Sequence, residues 1–298
     1  MPSRLICAAI LIYWSVAALG LIRRDLLPEL SVGSPPDFRT IADPENNAKP
    51  VVWNVQVLDN PAEPENLRLV GQAITESRRR ETGWVEMKSL VRFDSGRLLK
   101  GTPFSNRDNQ EIEIKSTYKI DPSGNLQSFH TGVRAASDPD ELVKIDGVLK
   151  AGVMEIVSQG PLPIFNRSLS FPYQPRGLVQ SQIGALDRLP GLQIGQRWDE
   201  HVANPMTGQV ELVRAEVKGK AFIHWNNNPV ATLEVVHRSK TLSARTWVGF
   251  DGMVLRQEIP FPLLRLVLER RPPKPRPKGS EPAGLPISDD SARSEIHD

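Results

Sequence analysis

The stretch from Gln110 to Ile120 reads QEIEIKSTYKI and decides the fold. In an extended strand every second side chain points to the same face. One face of this stretch carries Ser116 together with the apolar residues Ile112, Ile114, Tyr118 and Ile120. The other face carries Glu111, Glu113, Lys115, Thr117 and Lys119. A period of two predicts a half-buried antiparallel strand with its charged face, Glu113 included, exposed to water.

Turn-forming residues separate this stretch from others with the same alternation. Asp121-Pro122-Ser123-Gly124-Asn125 predicts a turn, with a new strand beginning at Leu126. Short Asp-Gly and Asn-rich groups predict hairpins. These groups are Asp94-Ser95-Gly96, Asp146-Gly147, Asn226-Asn227-Asn228-Pro229 and Asp251-Gly252. Closely spaced strands joined in this way predict a mainly β protein with a large curved antiparallel sheet, half-barrel-like, and one or two helices.

Two stretches break the alternation. Leu178 to Leu189 reads LVQSQIGALDRL and is the best helical candidate, stopped by Pro190. The proline-rich stretch from Gly160 to Arg176 predicts an irregular loop that crosses the sheet.

The N-terminal run from Leu5 to Ile22 is uncharged and apolar, with the sequence LICAAILIYWSVAALGLI. A helix of this length spans ~27 Å, close to the ~30 Å thickness of bilayer hydrocarbon. It predicts an N-terminal transmembrane helix that holds the chain in the cell membrane as a single pass. A cleaved signal peptide is the alternative, since Ser15-Val16-Ala17 and Ala18-Leu19-Gly20 are passable cleavage sites. Either interpretation predicts an extracytoplasmic, periplasmic location for the bulk of the chain, unless the anchor inserts in the opposite orientation.

Composition divides the chain into four parts. Residues 1–24 are the anchor or uncleaved signal, and residues 25–50 form a polar, proline-rich stalk. Residues 51–270 form the antiparallel β domain, and residues 271–298 form a disordered proline-rich tail. The only cysteine, Cys7, lies within the apolar run, so no disulfide is expected in the β domain. The net charge of +2, with basic and acidic residues intermixed, predicts no nucleic-acid partner.

The stretch from Leu192 to Phe261 carries two characteristic phrases. It opens with Ile194-Gly195-Gln196-Arg197-Trp198 and closes with TWVGFDGMVLRQE, residues 246–258. This part resembles exported bacterial β-rich envelope domains of unknown function, which are related in fold to the periplasmic lipoprotein-carrier half-barrels. The resemblance implies an exported domain whose curved sheet wraps a helix or an apolar cavity. It also implies handling of a lipid or another apolar ligand, and it supplies no catalytic residue.

Candidate chemistry is sparse. The histidines have no zinc-binding spacing, and the sequence has neither a GxSxG nor a glycine-rich phosphate-binding motif, so we predict no metal, no cofactor and no catalytic residue. We interpret all five histidines as surface or strand-edge residues, namely His130, His201, His224, His237 and His297. Asp199-Glu200-His201 is the densest titratable group. In a strand, Asp199 and His201 would share one face and Glu200 the other.

Tryptophans lie in or beside the predicted strands and are expected to fill the core. Alternatively, some of them line a groove for an apolar or glycan ligand, and the candidates are Trp53, Trp84, Trp198 and Trp247. The leading hypothesis is a membrane-anchored, non-enzymatic domain that binds a lipid-like ligand or an envelope partner. The alternative is an accessory subunit of an envelope complex with a solid-packed sheet. A third hypothesis is an envelope hydrolase with dispersed acidic residues. A lined apolar cavity of about 300 Å³ or more would favour the first over the second.

Overall fold

The computed structural model describes residues 13–18, 35–36, 49–59, 66–98, 100, 110–173, 179–181, 183–204, 209–239, 243–261 and 264–272. The predicted stalk and tail lie almost entirely outside these ranges, as does most of the predicted membrane segment. Residues 13–18 are helical. Within the described ranges, no helix combines the length and the apolar character needed to cross a membrane.

The β domain is one 15-stranded sheet that is curled but not closed. Its strands are β1 (Val51–Leu58), β2 (Leu67–Arg79), β3 (Val85–Asp94), β4 (Glu111–Ile120), β5 (Leu126–Ala135), β6 (Val143–Lys150), β7 (Val153–Gln159), β8 (Arg167–Pro172), β9 (Val179–Ser181), β10 (Arg197–Asn204), β11 (Gln209–Trp225), β12 (Asn228–Arg238), β13 (Ser243–Val248), β14 (Val254–Phe261) and β15 (Leu264–Arg270). A helical turn, Ser95–Leu98, and a 3₁₀ turn, Pro163–Phe165, are the short helices of this part of the chain.

Two antiparallel meanders make up the sheet. Strands β1 to β8 follow one another on one side, and strands β15 back to β10 follow one another on the other. The antiparallel pairing of β1 with β15 joins the two meanders. The short strand β9 pairs in parallel with β10 at the far edge. Neighbours in sequence are therefore neighbours in the sheet almost everywhere, as hairpin connections require.

The alternation in β4 is confirmed, with one correction. Ile114, Tyr118 and Ile120 are buried on the inner face, whereas Lys115 is exposed. Glu113 was expected to be exposed, but its side chain is buried on the outer face. The reason is cross-strand pairing: Arg92 on β3 and Arg134 on β5 contact its carboxylate at 2.6 and 2.5 Å. Burial alone would raise the pKa of Glu113, but the hydrogen bonds and charges of these two arginines lower it.

Ile114→Ala is expected to destabilise the protein by about 2–4 kcal/mol, because it removes most of a fully buried, branched side chain and leaves a cavity. Urea unfolding measures the loss. Lys115→Ala, one position along the same strand, is the control and should change the free energy of unfolding by less than about 0.5 kcal/mol. Equal losses at the two positions would show that the inner and outer faces of β4 are assigned wrongly.

The predicted helix from Leu178 to Leu189 is wrong. This part of the chain contains β9 and then an irregular interior segment, residues 183–190, that crosses the concave face of the sheet. Its backbone bonds to distant parts of the chain: the Leu186 N–H donates to Gln257 Oε1 on β14 at 2.9 Å, and the Leu189 N–H donates at 2.9 Å to the carbonyl of Gly252, in the turn before β14. Buried side chains of the segment fill the concave side, namely Ile183, Ala185, Leu186 and Leu189.

The loop predicted from Gly160 to Arg176 is partly wrong, because it contains the edge strand β8. Phe171 on β8 stacks on His201 of β10, with ring centroids 3.6 Å apart and planes 12° apart. The Ser181 N–H of β9 donates to the Tyr118 hydroxyl of β4 at 2.9 Å. The two ends of the sheet therefore meet through side chains, and not through a continuous backbone ladder.

Some of the predicted turns are present in the structure and others are not. The turns at Asp121 to Asn125, at Asn226-Asn227 and at Asp251-Gly252 are confirmed. The turn at Asp146-Gly147 is wrong, since both residues lie inside β6. A Cβ on Gly147 would lie 1.9 Å from the ring of Phe129, so this glycine allows close packing and makes no turn. The hairpin at Asp94-Ser95-Gly96 is also wrong, because the chain enters a helical turn there.

Candidate functional site

Among the described residues, two small cavities lie on the concave side of the sheet, one on each side of the interior segment. Their volumes are about 20 Å³ and about 40 Å³. Ser181 and Leu186 line both cavities. At about 10–15 Å³ per water, the first space has room for about one or two water molecules and the second for about three or four. They are far smaller than ordinary ligand pockets, which measure about 300–1,000 Å³.

A row of buried hydroxyl groups crosses the sheet beside the first cavity. Thr75, Ser89, Ser116 and Thr131 occupy directly paired positions on β2, β3, β4 and β5. The Ser116 and Thr131 hydroxyl oxygens lie 3.0 Å apart, and the Trp53 indole donates to Thr75 at 3.0 Å. The sequence contained one sign of this row, Ser116 on the apolar face of its strand. Its continuation across four strands depends on the register of pairing, which is not a local property.

Glu200, His237 and Thr246 line the second cavity. Together with Trp198 they form a buried polar group that we call the Glu200 cluster. His237 Nδ1 lies 2.7 Å from Glu200 Oε1, and the Trp198 indole donates to Glu200 Oε2 at 3.0 Å. On the other side of the imidazole, Thr246 Oγ1 lies 3.3 Å from His237 Nε2. All of these side chains are buried. The Thr246 hydroxyl, the His237 imidazole and the Glu200 carboxyl group therefore follow one another, each within hydrogen-bonding distance of the next.

The structure separates the titratable group Asp199-Glu200-His201 as the strand period predicts. Asp199 faces outward, where Arg214 donates to it at 3.1 Å, and His201 lies on the same face. Glu200 points to the opposite, inner face, toward His237. The interpretation of His237 as a surface or strand-edge residue is wrong, since it is buried beside Glu200. Its place on the inner face of β12, two residues after Val235, was the only local sign of this.

The order of groups in the Glu200 cluster is that of a nucleophile, a base and an orienting acid. The space in front of Thr246 measures about 40 Å³, which is enough for a few water molecules. One more hydroxyl, that of Ser181, lines the same cavity and has no hydrogen-bond partner among the residues that the structure describes. Within the described ranges, no three His, Cys, Asp or Glu side chains are arranged to hold a metal ion. The arrangement can hold a proton and order water.

The four candidate tryptophans lie in different parts of the sheet. Trp53 is 0% exposed beneath the β1–β15 pairing, and Trp198 belongs to the Glu200 cluster. Trp247 is buried on the outer face, with the Arg256 guanidinium 5.5 Å from its ring centroid. Trp84 is 39% exposed at the turn between β2 and β3. None of the four lines either cavity, and their role in ligand binding stays a prediction.

His201 is expected to make stability depend on pH. Burial lowers the pKa of His201 below the ordinary histidine value of about 6.5, against the opposing charges of Asp199 and Glu200. The unfolded chain then binds the proton more readily than the folded one, so stability is full above about pH 6.5 and decreases as the pH falls toward the folded pKa. Urea unfolding between about pH 7.5 and pH 5 measures this decrease.

His201→Phe keeps an aromatic ring against Phe171 and should flatten that part of the pH profile. His224→Gln, at an exposed position on β11, is the control and should leave the profile unchanged. A His201→Phe profile that matches the unmodified protein would remove His201 as the cause.

The fold and its filled interior define a mainly β domain built on one curled antiparallel sheet. No family model matches the chain, and no curated protein matches it. Among solved structures it is similar to a beta-barrel-like protein of domain of unknown function DUF1849 from Brucella abortus. That match has a TM-score of 0.48 and 8% identity, and covers 74% of this chain and 94% of that chain. A DUF1089 family protein from Pseudomonas aeruginosa matches with a TM-score of 0.34 and 13% identity, over 63% of this chain and 89% of that chain.

The β-rich fold that the resemblance implied is the fold that the structure shows.

Proposed function

We propose that this chain is a non-enzymatic accessory domain of the bacterial envelope that works through its outer surface. In this proposal Leu5 to Ile22 tethers it to the cell membrane, and the β domain lies on the periplasmic side. The length and apolar character of that run support the tether. One observation favours an accessory domain over a lipid carrier: side chains of the interior segment fill the concave side of the sheet.

A carrier for a lipid-like ligand needs an apolar cavity that encloses the acyl chain. Here the concave side is occupied by Ile183, Leu186 and Leu189 of the interior segment. Polar contacts hold this segment in place: the Arg270 guanidinium donates to the Asp187 carboxylate at 2.6 Å, and the Val254 N–H donates to the Asp187 carbonyl at 3.0 Å. An acyl chain would have to displace the segment and break these bonds. The remaining surface available for recognition is the outside of the sheet.

Titration of the full-length protein in lipid nanodiscs with a fluorescent fatty acid tests this proposal. We expect no saturable binding beyond that of empty nanodiscs. Ala244→Phe is the matched variant, because Ala244 lines the larger cavity and a phenyl ring there would fill it. Saturable one-to-one binding that Ala244→Phe abolishes would contradict the proposal and restore the lipid-binding hypothesis.

A hydrolase is the second candidate function, and the Glu200 cluster is the observation that favours it. A fluorophosphonate reagent tests it, because an activated hydroxyl attacks the phosphorus and displaces fluoride. In this case Thr246 Oγ would form the new P–O bond and His237 Nε2 would accept the hydroxyl proton. An accessory domain should show no labelling. Labelling of Thr246 that is lost in a folded His237→Gln variant would establish the enzyme instead.

A further inference from the structure

Both ways out of the β domain lie at one end of the sheet, which we call the stalk end. The chain enters the sheet at Val51 and leaves it after Arg270. These points are close, because Trp53 pairs with Arg270 and the Arg271 N–H donates to the Val52 carbonyl at 2.9 Å. The predicted stalk, residues 25–50, therefore joins the domain at this end.

The longest hairpin of the sheet projects at the stalk end. The pairing of β12 with β13 stops at Leu233 and Val248, but β11 and β12 continue to pair as far as Trp225 and Asn228. The Trp225 indole donates to the Arg270 carbonyl at 2.7 Å, which fixes the hairpin beside the exit of β15. The turn that joins β13 to β14 lies at the same end, since it directly follows Val248.

This end carries the two most exposed phenylalanines among the described residues. Phe222, on the projecting hairpin, is 78% exposed, and Phe250, in the turn after β13, is 62% exposed. Lys220 precedes Phe222 by two residues on β11, and its Nζ lies 5.9 Å from the Phe250 ring centroid. We call these three residues the aromatic patch. Large aromatic side chains that are this exposed at one end of a domain are candidates for an interaction surface.

Further aromatic and basic side chains lie at the stalk end. Trp84 is partly exposed at the turn between β2 and β3. Arg78 and Arg80 flank that turn with their side chains more than half exposed, although each also contacts a glutamate. Acidic groups are present too, including Glu81 and Asp251. The aromatic residues, and not the net charge, are therefore the feature that distinguishes this end.

We propose that the stalk end rests on the lipid bilayer, with Phe222 and Phe250 inserted into the membrane interface. The inference rests on the proposed tether, since it takes the bilayer to lie on the side where the stalk joins the domain. Aromatic side chains favour the headgroup region, and the long stem of a lysine lets its ammonium group reach water or lipid phosphate. A lipid surface is favoured over a protein partner because the patch lies at the end where the anchor joins the domain.

The tether alone does not impose this contact. A stalk of the length of residues 25–50 reaches at most roughly 90 Å when extended, so an anchored domain can also stand clear of the bilayer. Contact of the patch with lipid is thus a separate property from anchoring, and each can be measured independently.

The test uses the full-length chain in liposomes, with Cys7→Ala as the background because Cys7 is the only cysteine. Phe222→Cys, Phe250→Cys and Leu212→Cys each provide a single site for a nitrobenzoxadiazole label. Leu212 is the matched control, since it is exposed on the same strand as Phe222 but pairs with His201 toward the opposite end. Equal melting temperatures confirm that the variants fold. Emission is then compared in liposomes with and without lipids that carry a headgroup-level spin quencher.

We expect labels at positions 222 and 250 to emit at shorter wavelength and to be quenched at least about twofold more strongly than the label at 212, as interfacial insertion requires. Equal, weak quenching at all three sites in a protein that resists carbonate extraction would overturn the contact and leave the tether intact. A wavelength shift without quenching would place the patch against protein, either a second copy or another chain, and would also overturn it. Release of the full-length protein by carbonate would refute the tether itself.

Discussion

Trp53→Ala is expected to lower the free energy of unfolding by about 3–5 kcal/mol, the usual range for truncating a buried tryptophan. Trp53 is 0% exposed and lies on β1, whose pairing with β15 joins the two meanders. Its indole N–H donates to Thr75, and the Arg270 guanidinium lies 5.9 Å from its ring centroid. The substitution therefore removes core volume and a buried hydrogen bond at the one place where the two halves of the sheet pair.

Urea unfolding followed by near-ultraviolet circular dichroism measures this loss, with two controls. Trp84→Ala removes a tryptophan that is partly exposed and should cost less than about 1 kcal/mol. Trp53→Phe retains most of the volume but leaves the Thr75 hydroxyl without the indole donor, so an intermediate loss is expected. If Trp84→Ala were as damaging as Trp53→Ala, burial could not be the cause of the difference.

The strands that the sequence predicted correctly are those whose signal is local. A strand such as β4 shows its inner face within ten residues, and the turn at Asp121 to Asn125 shows its chemistry within five. The backbone N–H groups of Ser123 and Asn125 each donate to the Asp121 carboxylate at 2.9 Å. These bonds lie within the turn itself, so the turn could be predicted from its own residues. The mainly β class, the curved antiparallel sheet and most hairpins follow from such short-range patterns.

The interior segment could not be predicted in the same way. Ile183, Leu186 and Leu189 have the spacing of one face of a helix, and their stretch has no strand alternation. In the fold, backbone groups of this segment bond to Gln257 and Gly252, far away in sequence. Tertiary hydrogen bonds satisfy these groups, which removes the need for a helix. The pairing of β1 with β15 could not be predicted from local sequence either, because these are the first and last strands of the domain.

The candidate site was missed because its members lie apart in the sequence. Glu200 and His237 come from β10 and β12, which are separated by β11 in the sheet. Only the curvature and register of three strands bring their side chains within 2.7 Å. Glu113 shows the same limit on the outer face, because its burial depends on arginines from two neighbouring strands. Residue type and period predict which face a side chain occupies, and the partner on that face depends on the pairing.

Glu200→Ala is the second substitution with a large expected effect, again about 3–5 kcal/mol, as for removal of one partner from a buried polar pair. Its carboxyl group accepts from the Trp198 indole and lies 2.7 Å from His237 Nδ1. Without it, the Trp198 indole N–H and His237 Nδ1 both lose this partner while they stay buried. Asp199→Ala is the matched control on the same strand, and it removes only an exposed contact with Arg214, worth at most about 1 kcal/mol.

A double-mutant cycle separates a structural cluster from a catalytic one. If Glu200 and His237 stabilise the core together, Glu200→Leu with His237→Leu should cost less than the sum of the single variants, with a coupling of about 1–3 kcal/mol. Replacing both polar partners by apolar groups leaves fewer unpaired groups than replacing either one. A catalytic cluster predicts the opposite pattern, in which His237→Gln keeps the unfolding free energy but abolishes reaction of Thr246 with the fluorophosphonate. Additive losses would show that the pair is not a coupled unit, and the buried position of Glu200 would then need another explanation.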